Sequence, residues 1–160
     1  MRKIIFLGLV LAAVLVQSTL ADGMRILGVK PDLVWVMVMA AALYFDFSDA
    51  VICAVLAGIL KDVLGISSFG AYTLFLPLWA AAVRSLSKRI SFDHAAVSAV
   101  FLAVMIFVNA VIIRSIPPVS TGRLSFMAFM HIAVIESVYT AVVFACVSPW
   151  LRRVAVSTLW

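Results

Sequence analysis

Charge is scarce in this sequence. Twelve basic residues, seven acidic ones and two histidines are spread over 160 positions. Hydrophobic side chains make up 66% of the chain, and the mean hydropathy is +1.25. A soluble domain of this length has too little interior to hide so much apolar surface, so the composition points to an integral membrane protein. Cysteine is nearly absent. Cys53 and Cys146 lie inside apolar runs, where they read as small hydrophobes and not as a disulfide or a metal pair, and they say nothing about redox compartment. His94 stands at the end of a run with no partner at ligand spacing, which leaves no metal site in view. Nucleotide-binding loops and nucleophile–base pairs are missing too, so no catalytic residue and no cofactor are expected. Strand-like alternation is lacking, and the apolar runs are too long for barrel strands.

What is present is a series of apolar runs, which makes the class all-α. Six spans of about 20 residues would use about 120 positions and leave about 40 for loops and tails. The expectation is a single transmembrane domain over 1–160, with spans at about 4–21, 32–47, 49–64, 71–87, 95–113 and 126–148. The first run follows Arg2-Lys3 and could instead be a signal peptide ending at Thr19-Leu20-Ala21; a transmembrane helix is the preferred reading. Gln17, Ser18 and Thr19 would lie at its outer end, bonding headgroups or contacting a ligand. Pro31 suits a first helical turn, and Asp32 beside it complements the positive end of the helix dipole or takes part in binding. The second span is short for the bilayer and is expected to be shielded by neighbours. Ser48 or Asp49 is an N-cap candidate for the third. Pro77 should kink the fourth span, and Pro149 should stop the sixth.

The stretch from Ala50 to Gly70 holds the densest polar signal. Ala50, Ala54, Gly58 and Asp62 recur every four residues and so share one helix face, with Gly65 close to the same stripe. Small residues let another backbone approach, so Asp62 should face protein, with donors such as Gln17, Ser18 and Thr19. Lys61 sits about 100° further round the helix, and its long stem could snorkel to the headgroups with few specific contacts. The plainer reading is that Lys61 and Asp62 only mark a span end. Two further polar residues fall inside spans. Asn109 could bond across a helix interface. Glu136 shares a face with Thr140 and should be protonated or paired, as a structural pair or in a proton relay.

Basic residues cluster at span ends, which reads as topology and anionic headgroups and not as nucleic-acid binding. With the N-terminus inside, seven basic residues (Arg2, Lys3, Arg84, Lys88, Arg89, Arg152, Arg153) lie on the inner side and five (Arg25, Lys30, Lys61, Arg114, Arg123) on the outer. That bias favours both termini in the cytoplasm.

Val16-Gln17-Ser18-Thr19, then Gly28-Val29-Lys30-Pro31-Asp32-Leu33, then Gly58-x-x-x-Asp62 with Gly65 and Gly70, resembles the rod shape-determining MreD family in order and spacing. The basic tail and the length fit as well, whereas Lys61 matches no family pattern. The resemblance implies a multi-pass bacterial inner-membrane protein with a helix arrangement similar to substrate-binding components of energy-coupling-factor transporters. It implies a non-catalytic scaffold or regulator of the cell-elongation (rod) complex, supporting peptidoglycan synthesis and cell shape. Implied partners are an MreC-like protein, a RodA-type polymerase with its class B penicillin-binding protein, an MreB-like filament reached directly or through another protein, and membrane lipid. The competing expectation is a vitamin-binding subunit of a transporter, against which Leu11-Ala12-Ala13-Val14-Leu15 makes a poor partner-facing stripe.

Overall fold

The computed structural model describes residues 8, 12–13, 15–17, 29–64, 70–89, 92, 94–115 and 126–157. Most of these are helical; Val29 makes an isolated β-bridge, and no longer strand occurs among the described residues. Helical residues between Gly8 and Gln17 precede five further helices: α1 (Leu33–Tyr44), α2 (Phe47–Leu64), α3 (Ala71–Leu86), α4 (Ala95–Ser115) and α5 (Phe126–Ser157).

The centre is α1. Val34 to Ala42 are all buried, and α1 packs against each of α2, α3, α4 and α5. A helix that is apolar all round has no face to offer water and belongs inside. Its 12 residues reach about 18 Å, well short of the ~30 Å of a hydrocarbon core. Enclosure by neighbours relieves that shortfall, as expected from its length. Around it, α2 and α3 form the most closely packed pair, and α4 lies along α5.

Gly58 explains the tight α2–α3 packing. A Cβ there would stand 2.6 Å from the Tyr72 carbonyl oxygen and 2.7 Å from Thr73 Cα. Only a hydrogen fits between these two backbones. The stripe that the spacing predicts is buried throughout, at Ala50, Ala54, Gly58 and Asp62, and its Gly58 and Asp62 meet α3.

Among the described residues two helices, Ala95–Ser115 and Phe126–Arg153, are long and apolar enough to cross a membrane. Leu33–Tyr44 and Ala71–Leu86 are apolar but shorter, and α2 carries Asp49, Lys61 and Asp62.

Several boundaries differ from expectation. The second helix begins at Leu33, so Pro31 precedes the cap and does not occupy the first turn. The third begins at Phe47, and Ala50 N–H donates to the Asp46 carbonyl. Ser48 and Asp49 are therefore first-turn residues, and the cap position falls to Asp46. The last helix does not stop at Pro149 but runs on to Ser157. Proline supplies no N–H to the carbonyl four residues back, here that of Ala145. Ser148 Oγ donates to that same carbonyl at 3.2 Å, which replaces the missing bond and lets the helix continue. Residues on both sides of Pro77 also remain helical.

Replacing Gly58 with alanine is expected to force α2 and α3 apart and to destabilise the protein by about 1–3 kcal/mol, the usual range for overpacking. Thermal unfolding in detergent measures it as a lowered midpoint.

Candidate functional site

Both buried carboxylates, Asp32 and Asp62, lie where α1 starts, α2 ends and α3 starts. Asp32 is the N-cap of α1, and its Oδ1 accepts from Val34 N–H at 3.2 Å. Gln17 binds the same corner twice: its Nε2 donates to Asp32 Oδ1 and its Oε1 accepts from Val34 N–H, each at 3.2 Å. The Asp32 backbone N–H donates to Thr140 Oγ1 of α5 at 3.0 Å. Lys61 Nζ of α2 forms an ion pair with Asp32 Oδ2. One residue thus ties the N-terminal helical segment, α2 and α5 to the start of α1.

The pair is enclosed. The Asp32 side chain is 3% exposed and that of Lys61 14%. Lys61 Nζ also lies 3.9 Å from the centroid of the Tyr72 ring, so a π face replaces part of its lost hydration. Glu136, one turn before Thr140 on α5 and half-buried, lies within electrostatic range of both Asp32 and Lys61.

A second centre lies next to the first. Asp62 accepts from Tyr72 N–H at 3.1 Å, Thr73 N–H at 2.8 Å and Thr73 Oγ at 2.7 Å. These two amides belong to the first turn of α3, whose cap position is Gly70 at φ +96°. Glycine has no side chain with which to cap. The Asp62 carboxylate does it from α2 instead, where it also meets the positive end of the α3 dipole. Gly58, one turn earlier on the same face, allows the approach that this requires. Tyr72 joins the centres, with its ring against Lys61 and its amide on Asp62.

The sequence-based expectations divide accordingly. Asp62 faces protein, as predicted, but its donors are Tyr72 and Thr73. Gln17 serves Asp32 instead, and Ser18, Thr19 and Gly65 lie outside the described residues. Lys61 does not snorkel: Asp32 on the neighbouring helix holds it inward. Asp32 is a cap, as expected, and an ion-pair partner as well. Pro31 is buried beside it. Glu136 lies within electrostatic range of another acid, Asp32, which the sequence did not place near it. Asn109 bonds across an interface, its Oδ1 accepting from Trp79 Nε1 of α3 at 3.3 Å; this is a separate contact. Tyr72 and Thr73 were missed. The signal was a glycine at a cap position followed by a turn with no acceptor of its own.

Chemically, these groups hold one another. Among the described residues no buried side-chain nitrogen or oxygen lacks a hydrogen-bond partner, and no group of histidine, cysteine, aspartate and glutamate is arranged to hold a metal ion.

Comparison with known proteins adds the family. The family model described as rod shape-determining protein MreD matches residues 1–155 of this 160-residue chain. The chain belongs to the MreD family. Membership makes it a membrane protein with a role in rod-shape determination, a structural role and not a named reaction. No curated protein and no solved structure matches it.

Removing one member of a buried ion pair strands the other, which typically costs ~3–5 kcal/mol. Lys61→Met and Asp32→Leu are each expected to fall in that range. The double variant should lose less than the two single losses combined, and a thermal-unfolding cycle in detergent measures this.

Asp62→Leu should cost about 1–3 kcal/mol by orphaning the Tyr72 and Thr73 amides, and Asp62→Asn less, since it still accepts. Asp62→Leu is therefore expected to lower the midpoint less than Lys61→Met does, and the same melts test it.

Proposed function

We propose that the protein is a multi-pass inner-membrane scaffold of the bacterial cell-elongation complex, acting through protein contacts and without turnover. The observation that carries this is how the interior polar groups are used. Gln17, Asp32, Lys61, Asp62, Thr73 and Thr140 are committed to one another across four helices and the N-terminal segment. A site built to process a substrate keeps convergent groups available to it; here they lock helices together. The outward faces carry the apolar surface, with Val134, Val138 and Val142 forming an exposed stripe on α5. Such surface in a bilayer faces lipid or the helices of partners.

On this reading the chain has six spans with both termini cytoplasmic, in the helix arrangement of energy-coupling-factor substrate-binding components turned to scaffolding. The partners are an MreC-like protein and a RodA-type polymerase with its class B penicillin-binding protein. An MreB-like filament follows directly or through another protein. The seven-to-five basic bias supports the orientation.

Reporter fusions at Ser120 and at the C-terminus are expected to read outside and cytoplasm, respectively. Gentle purification should retain a peptidoglycan-synthesis partner, and Lys61→Met should lose that partner in step with its loss of stability. A cytoplasmic signal at Ser120, or a co-purifying vitamin in place of a partner, overturns the proposal.

A further inference from the structure

A cavity of about 430 Å³ opens on the outer side of α4, lined by Phe92, Ala96, Val97, Val100, Phe101 and Val104. It offers almost no polar surface. Val100, in its middle, is 65% exposed, so this concavity faces the surroundings of the protein and not its core. One end is held in place. Ser98 is buried, and its Oγ donates to the carbonyls of Phe92 and His94 at 3.3 and 3.2 Å. The Phe92 ring stands edge-on to Phe101, with centroids 5.5 Å apart and planes at 69°. Phe92 is thus fixed over the start of α4 as an end wall.

That end is also where charge appears. Lys88 and Arg89 are exposed on the turn that closes α3. Arg89 precedes Phe92 by three residues, so the chain keeps their backbones within about 11 Å. The rest of the cavity runs from Ala96 to Val104, about 12 Å along the helix axis. A ligand matching both parts has an anionic head and an apolar chain. Basic pockets at membrane-helix ends take phospholipid headgroups by this complementarity.

We propose that this corner is a binding site for one anionic phospholipid, its headgroup on Lys88 and Arg89 and an acyl chain along Phe92, Val97, Val100 and Val104. It lies apart from the Asp32–Lys61 centre and depends on no choice of rod-complex partner, so its failure would leave the scaffold reading untouched.

The test uses the full chain purified in neutral detergent, melted with phosphatidylglycerol or with phosphatidylcholine of identical chains. Phosphatidylglycerol is expected to raise the midpoint more than phosphatidylcholine does. K88Q/R89Q should abolish that excess while leaving the response to phosphatidylcholine in place. Val100→Trp, which fills the groove from an exposed position, should abolish it too. R152Q/R153Q, which removes charge elsewhere, should keep it. Equal responses in the parent, or an excess that survives K88Q/R89Q or Val100→Trp, would mean annular lipid only and overturn the site. An excess lost in R152Q/R153Q would overturn it as well. Both double variants change exposed side chains, so they test the headgroup contact even if Val100→Trp fails to fold.

Discussion

The ion pair between Asp32 and Lys61 is the contact on which the arrangement of helices depends. Apolar contact is non-directional, so for a helix such as α1 it sets depth and rotation only through the fit of side-chain shapes. A buried carboxylate and ammonium add a fixed pairing, since neither tolerates separation from the other in a low-dielectric interior. With Gln17 and Thr140 bonded to the same residue, the start of α1 is held from three directions. Depth and rotation of the central helix are set together.

The neighbouring residue, Asp62, solves a different problem with the same chemistry. Lys61 and Asp62 are adjacent in sequence and point about 100° apart on α2. One therefore addresses α1 and the other α3. A helix that starts with glycine leaves amides unsatisfied, and α3 starts so close to α2 that a carboxylate from there can serve them. Gly58 is the geometric condition and Asp62 the chemical use made of it; neither makes sense without the other. Tyr72 then shields the lysine with its ring, so one residue of α3 touches both adjacent charges.

The helical class, the inward direction of Asp62 and the bonding of Asn109 were legible in the sequence, because each follows from periodicity along one helix. The role of Lys61 was not. Its partner lies 29 residues away, and a flexible four-carbon stem gives no hint of direction. The rescue of Pro149 by Ser148 was hidden for a related reason, since a serine before proline reads alike whether or not its hydroxyl turns back to Ala145. Pairings between helices set the site, and a single sequence carries only the one-helix half of that information. Gly70 carried part of the signal, a cap position without a side chain, but not which helix would supply the carboxylate.

The continuity of α5 through Pro149 has a mechanical consequence. Its 32 residues make a rod of about 48 Å, against ~30 Å of hydrocarbon. Thr140, bonded to the start of α1, and Arg152, near the far end, sit on the same rod about 18 Å apart. A stiff rod pinned partway along its length is a lever. A sideways push on the end carrying Arg152 and Arg153 is transmitted to Thr140, where it bears on the hydrogen bond from Asp32.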